Sequence, residues 1–210
     1  MKKFLCLLCL SLAFTVCACS SEEEEVTLEI VANDVYEEPS NPTDAQIELY
    51  NALSEALSDE DGGEQTIAEL VAQNFVFDFY SLKTKESSAD VGGLTYLPED
   101  IQDDFATYAT SYVYCNYATI VSEYGEDSLP MVTAVTVTNT ETSTYEYTVY
   151  EDADSDESES ASSTTETYES YVISVEIEYA DTDLSEDEMK FSAEITVINI
   201  DGRLCVVALS

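Results

Sequence analysis

The spacing of apolar residues divides the chain into a helical first part and a strand-forming second part. Apolar residues recur every three or four positions in three segments before Gly125, and at every second position after Pro130. The first spacing is typical of one face of a helix, and the second of one face of a strand. Helices followed by strands predict an α+β domain, in which the helices pack on an antiparallel sheet.

Three helices are expected in the first part. They cover about residues 43–57, about residues 64–81, and a segment that begins at Pro98, whose continuation to Tyr124 is left open. The third helix would bury one face, formed by Ile101, Phe105, Tyr108, Tyr112 and Cys115.

The strands are expected after Pro130. Alternation over residues 135–149 is long for one strand, so a hairpin or a bulge is predicted near residues 139–143. An acidic, serine-rich loop at residues 151–165 follows. Further strands are expected at residues 171–179, 191–197 and 204–209, the last two joined by a two-residue turn at Asp201-Gly202.

The N-terminus has the features of a secretory signal. Two lysines precede an uncharged apolar run at residues 4–17, which is shorter than the roughly 20 residues of a membrane-spanning helix. The segment VCAC, which ends at Cys19, resembles the lipobox of bacterial lipoproteins. The resemblance implies that residues 1–18 are removed and that Cys19 receives diacylglycerol. Ordinary secretion with an unmodified Cys19 is the alternative.

The resulting organisation has three parts. After the signal, residues 19–42 are expected to form an acidic disordered tether, because glutamates and prolines dominate it. Residues 43–210 would form the folded domain. A diacylglyceryl anchor would hold the protein at the extracytoplasmic face of the bacterial cell membrane.

The acidic excess limits the classes of partner. The chain has 6 Lys+Arg and 45 Asp+Glu, a net charge of −39. Because two lysines precede every acid and leave with the signal, the mature chain would have four basic and 45 acidic residues, a net charge of −41. Such a charge repels phosphate backbones and excludes nucleic acid as a partner. Solubility is the simplest explanation of the charge, and weak association with divalent cations follows from it.

The chain has no histidine, which excludes Ser-His-Asp triads, Cys-His pairs and histidine-ligated zinc sites. No cofactor is predicted. Once Cys19 is lipidated, Cys115 and Cys205 remain after the signal. They form either a disulfide or two small buried apolar residues, and the second interpretation is favoured.

Several short stretches carry a resemblance to a family. They are DFYSLKTKESSADVGGLTY at residues 78–96, together with residues 104–106, 124–125 and 129–130. With the order of elements, they resemble bacterial, Firmicutes-type lipoproteins that have a nuclear-transport-factor-two-like cone domain. The resemblance implies a curved antiparallel sheet that encloses a pocket with the helices. In such folds the pocket binds a small molecule, holds a catalytic acid or mediates homodimerisation, and the fold alone does not choose among these.

One candidate site is a carboxylate with phenol partners. Asp78 stands beside Tyr80, and Tyr108 and Tyr112 follow on the next helix. Desolvation would raise the pKa of Asp78, which would then exchange protons with a substrate beside its tyrosine partners. The tyrosines would also contact a ligand. With fifteen tyrosines and 45 acidic residues in the chain, a surface aspartate and core aromatic rings are the favoured alternative.

A second candidate is a calcium loop. Asp152, Asp154 and Asp156 have the first three ligand positions of such a loop, but Glu157 replaces the required glycine and Ser163 the bidentate glutamate. A solvated loop is therefore favoured over a metal site.

The segment at residues 83–93 holds two further features. Lys83 and Lys85 could form an anion site. The favoured interpretation is that their positive charges complement nearby acids and the C-terminus of a helix. Asp90 is expected to hydrogen-bond backbone N–H groups within a shaped turn that uses Gly92 and Gly93.

The sequence thus favours a membrane-anchored lipoprotein that binds an unidentified protein or small molecule without chemistry. A pocket enzyme that uses Asp78 and a surface protein that responds to divalent cations are the alternatives.

Overall fold

The computed structural model describes residues 28–59, 62–150 and 163–210, and in this part the helices precede the strands. The helices are α1 (Asp44–Ser58), α2 (Glu64–Tyr80), α3 (Glu99–Tyr112) and α4 (Tyr117–Tyr124). The strands are β1 (Val132–Tyr150), β2 (Ser163–Tyr179), β3 (Ser192–Ile200) and β4 (Arg203–Leu209). The predicted α+β class, with helices N-terminal to an antiparallel sheet, is confirmed.

Helix α2 lies at the centre of the domain. It contacts α1 and each of the four described strands. This position requires apolar residues around most of the helix. Val71, Phe75 and Phe79 recur at helical spacing and are buried, and Ala72 and Val76 beside them are also fully buried. Helix α1 begins where Thr43 caps it by accepting a hydrogen bond from the Gln46 N–H, and its predicted apolar face is buried against α2.

The strands form one antiparallel sheet in the order β1-β2-β3-β4. Strand β1 has 19 residues and continues past residues 139–143 without a hairpin, although its register shifts between Val137 and Asn139. The bulge alternative of the prediction is therefore the one observed, slightly earlier than expected. The last hairpin is confirmed, because Asp201 and Gly202 have φ of 53° and 89°, as a tight hairpin turn requires.

The predicted long third helix is interrupted after Tyr112. Residues 113–116 turn instead, and Tyr114 is fully buried, with its hydroxyl donating to the carbonyl oxygen of Phe79 at 2.5 Å. A straight helix would not bring this ring inward. The predicted buried face was therefore only partly right. Ile101 and Phe105 pack against the core, whereas Tyr108, Tyr112 and Cys115 are exposed.

The described part of the predicted tether packs on the domain. Tyr36 is 3% exposed, and its hydroxyl donates to the carbonyl oxygen of Leu204 at 2.7 Å. The Tyr50 hydroxyl in turn donates to the carbonyl oxygen of Tyr36, and Ile30 packs against the core. The apolar residues scattered among the acids explain this contact, and the folded domain therefore begins nearer to residue 30 than to residue 43. Among the described residues, none of the helices combines the length and the apolar character needed to cross a bilayer.

Candidate functional site

A cleft of about 480 Å³ lies between helices α2 and α3 and strand β4. Its lining is mainly aromatic and aliphatic, and is composed of Phe75, Phe79, Tyr80, Leu97, Ile101, Phe105, Tyr108, Val113, Lys190 and residues 206–210. Pockets of this size and character are typical of small-molecule sites.

Packed aromatic rings form the floor of the cleft. The Phe79 ring lies 5.6 Å from that of Phe75, 5.2 Å from that of Phe105 and 4.9 Å from that of Tyr80. Phe75 and Phe79 are almost completely buried, at 0% and 1% exposure. Their side chains are thus fixed by the core, and the cleft is preformed on its inner side.

The rim of the cleft carries its polar groups. Burial raises the pKa of Tyr80 to about 12, and the neighbouring Tyr108 adds to the shift, so the Tyr80 hydroxyl stays protonated at neutral pH and remains a hydrogen-bond donor. Tyr108 is exposed, with its ring 5.0 Å from that of Tyr112. Lys190 is exposed at the mouth and is the only charged side chain in the described lining.

Asp78 lies outside this cleft and is held in a separate network. Its Oδ1 atom lies 2.5 Å from the Nζ of Lys85 and accepts from the Nε2 of Gln46 at 3.1 Å. Its Oδ2 atom accepts from the Gly93 N–H at 2.6 Å. Among the described residues, the predicted partners do not hydrogen-bond to it. Tyr80 and Tyr108 line the cleft, and Tyr112 lines a second groove, which borders α4.

The network around Asp78 uses tyrosines that the sequence analysis missed. Tyr96 is buried nearby. Its burial raises its pKa well above the ordinary value, and the negative charge of Asp78 raises it further. The Tyr114 hydroxyl accepts from the Gly92 N–H at 3.3 Å. Through the Gly93 N–H and the Lys85 Nζ, Asp78 joins α2 to the loop that follows it.

The glycines of this loop allow a close approach of the backbone. A Cβ atom on Gly92 would lie 2.7 Å from the carbonyl carbon of Asp78. Gly93 has a φ of 81°, and a Cβ there would lie 2.8 Å from the Phe75 ring. The predicted turn at Asp90 is confirmed, because its carboxylate accepts from the Glu86 N–H at 2.9 Å.

Both lysines of the segment pair with acids, as favoured from the sequence. Lys83 lies 3.0 Å from the carboxylate of the exposed Asp127, whereas the Lys85 pair with Asp78 is buried.

The other sites predicted from the sequence form neither a disulfide nor a metal cluster among the described residues. Both described cysteines are free, with Cys205 buried and Cys115 exposed, so the proposed disulfide is not formed and only Cys205 is the small buried residue that was favoured. The described residues contain no cluster of three His, Cys, Asp or Glu side chains that would hold a metal. Asp152, Asp154, Asp156 and Cys19 lie outside the described residues.

The cleft itself was visible in the sequence only in part. The phenylalanines of α2 recur at helical spacing, but their role as the floor of a cleft depends on where α3 ends and on which strand lies beside it. Residues 206–210 and Lys190 carried no motif, because they meet α2 and α3 only through the sheet order.

The chain matches no family model, no curated protein and no solved structure.

Proposed function

We propose that the protein is a membrane-anchored extracytoplasmic lipoprotein whose α+β domain binds a ligand in the cleft without chemistry. Cys19 is the attachment point of the lipid. The observation that carries the binding function is the aromatic cleft between α2, α3 and β4, with its volume of about 480 Å³.

The lining of the cleft supports binding rather than catalysis. Its described side chains include phenols and one lysine, but no carboxylate, thiol or imidazole. Those three groups supply most general bases near neutral pH. Asp78, the predicted catalytic candidate, is instead engaged by Lys85 and by the Gly93 N–H. The enzyme alternative therefore has less support than binding.

An apolar probe tests the cleft directly. The mature chain with Cys19→Ala is expected to bind the neutral dye N-phenyl-1-naphthylamine at one saturable site, with a rise in dye fluorescence. Phe105→Asp should weaken this binding about tenfold or more, because a carboxylate then stands in the apolar lining. Tyr108→Asp, at a residue that is 56% exposed and so tolerates the change, should weaken it in the same direction.

Phe191→Asp is the matched control. Phe191 is also an exposed aromatic residue, at 43%, but it does not line the cleft. Its variant should bind the dye as the unchanged chain does. Equal loss of binding in all three variants, or no saturable binding by the unchanged chain, contradicts the cleft as a ligand site.

The anchor is tested at its own residue. Cys19→Ala is expected to move nearly all of the protein from the membrane fraction of the producing bacterium to the medium or periplasm. Two acyl chains give stable attachment, and the variant has no acyl chain. Intact-mass measurement should show diacylglycerol on the unchanged protein and none on the Cys19→Ala variant. Cys17→Ala, two positions earlier, should keep the lipid, and its loss in that variant would place the modification elsewhere.

A further inference from the structure

Strand β4 borders the cleft with its edge rather than with one face. Five consecutive residues, Val206 to Ser210, line the cleft. Successive side chains of a strand point to opposite faces of its sheet, so a cleft that lies on one face would be lined by alternate residues only. An unbroken run indicates that the backbone itself borders the cleft.

The backbone groups on this edge are available to a ligand. Within the part of the chain that the structure describes, strand β4 is the terminal strand of the sheet and pairs only with β3. Ser210 exchanges both of its backbone hydrogen bonds with Glu194, at 3.0 and 3.1 Å. Because the direction of these groups alternates along a strand, the N–H and C=O of Leu209 point away from β3. They therefore face the open edge.

The part of the same edge before Leu209 already has side-chain partners. The Tyr36 hydroxyl donates to the carbonyl oxygen of Leu204 at 2.7 Å, and the Tyr145 hydroxyl to that of Val207 at 3.4 Å. These contacts show that the edge attracts hydrogen-bond donors, and they leave the end of the strand open beside the cleft.

Helix α3 forms the opposite wall. Ile101, Phe105 and Tyr108 project into the cleft from successive turns, and the rings of Phe75 and Phe79 form the floor. A groove between a strand edge and an apolar helix face is the arrangement in which extended peptides add to a sheet. Their main chain bonds to the edge, and alternate side chains enter the apolar floor.

We propose that the cleft takes an extended peptide, which pairs with β4 as a fifth strand of the sheet. This inference rests on the proposed ligand-binding function and names the class of ligand. The peptide places apolar side chains against Phe75, Phe79 and Phe105, and its backbone pairs with the end of β4.

The charge of the protein selects a basic peptide. The full chain has a net charge of −39, and the exposed acids Asp103 and Asp104 lie on α3 while Asp187 and Glu188 precede Lys190. Lysines or arginines on either side of the apolar positions are attracted by this field. A second copy of the chain carries the same negative charge and is repelled, so it is the less suitable occupant of the edge.

A displayed library of random nine-residue peptides, selected on the mature chain with Cys19→Ala, tests the proposal. Selected peptides should alternate apolar residues between basic ends and should displace N-phenyl-1-naphthylamine. Two methylated forms of the best peptide are then compared, each with N-methyl groups on one set of alternate residues. One form should lose about tenfold or more in affinity, because it cannot donate to β4, and the other should keep it.

A pair of protein variants gives a second measurement. Leu209→Pro removes the outward N–H without removing a bond to β3, whereas Leu209→Ala keeps that N–H and loses the same side-chain packing. The proline variant should bind the selected peptide about tenfold less tightly than the alanine variant. Thermal unfolding of both variants shows whether each is folded, and the methylated peptides test the proposal on unchanged β4.

Three results would overturn the proposal. They are a library without binders, equal binding of both methylated forms, and sedimentation of the chain as a dimer that the selected peptide does not dissociate. If the dye still binds in these cases, the ligand-binding function stands and only the peptide assignment is lost. If the dye does not bind either, both are lost.

Discussion

The Lys85→Met substitution is expected to lower the free energy of unfolding by about 3–5 kcal/mol. The Lys85 side chain is 2% exposed and that of Asp78 is 13% exposed. Methionine fills a similar volume but leaves the carboxylate buried without its cation. Gln46 and the Gly93 N–H continue to donate to it, yet neutral donors do not replace a charge at 2.5 Å. Urea unfolding followed by circular dichroism measures the loss.

The exposed lysine of the same segment is the control. Lys83 also pairs with an aspartate, but Asp127 is fully exposed, so Lys83→Met should leave the urea midpoint almost unchanged. Adding Asp78→Asn to Lys85→Met should restore part of the lost stability, since the uncompensated charge is then removed. If Lys85→Met and Lys83→Met have equal midpoints, the buried pair does not hold α2 to the loop.

The second large effect is expected at Gly92. In Gly92→Ala the new methyl group would meet the Asp78 carbonyl carbon at 2.7 Å and the Lys85 Cε at 2.8 Å, distances at which the loop must move. Part of this obstruction is backbone, which cannot rotate away as a side chain does. The free energy of unfolding is expected to fall by about 3 kcal/mol. Movement of the loop would also lengthen the hydrogen bond that the Gly93 N–H donates to Asp78.

Gly63→Ala provides the comparison for that substitution. The nearest atom to a Cβ there is the Thr66 Oγ1, at an ordinary 3.7 Å. Gly63 is the N-cap of α2, where alanine is poorer than glycine, so a change within about 1 kcal/mol is expected. Similar unfolding midpoints for the two alanine variants would mean that the loop adjusts freely, and that the close approach is not required.

The elements with strong local signals were predicted well from the sequence. Helices α1 and α2 begin and end within a residue of their predicted bounds, because Thr43 supplies a cap and the glycines before Glu64 separate the two helices. The turn at Asp201-Gly202 was predicted for a similar reason, since its two residues accept positive φ. In each case the information lies within a few residues of the element.

The features that depend on distant residues were not predicted. The helical spacing placed Tyr108 and Tyr112 on the buried face and Tyr114 off it, but of the three only Tyr114 is buried. Its burial depends on the carbonyl oxygen of Phe79, 35 residues earlier in the chain. The partner of Asp78 was missed in the same way, because Lys85 reaches it only after the chain turns at the end of α2.

The strands show the same division. Alternation located β3 and β4 and most of β1, but it did not decide between a hairpin and a bulge within β1, because residues 140–144 include no apolar residue. Those residues pair with β2, which also begins earlier than expected, at Ser163. The cleft then depends on β4 being the terminal strand, which a local pattern does not specify.

The attachment of Tyr36 to β4 limits the reach of a lipidated protein. Ile30 already packs on the domain, so only ten residues, 20–29, lie between it and Cys19. Fully extended, the chain from Cys19 to Ile30 spans at most about 40 Å, whereas a tether that ended at residue 43 would span about 85 Å. A lipid-anchored domain would thus stay near the bilayer, and a peptide that enters the cleft would have to emerge from the membrane or pass close to it.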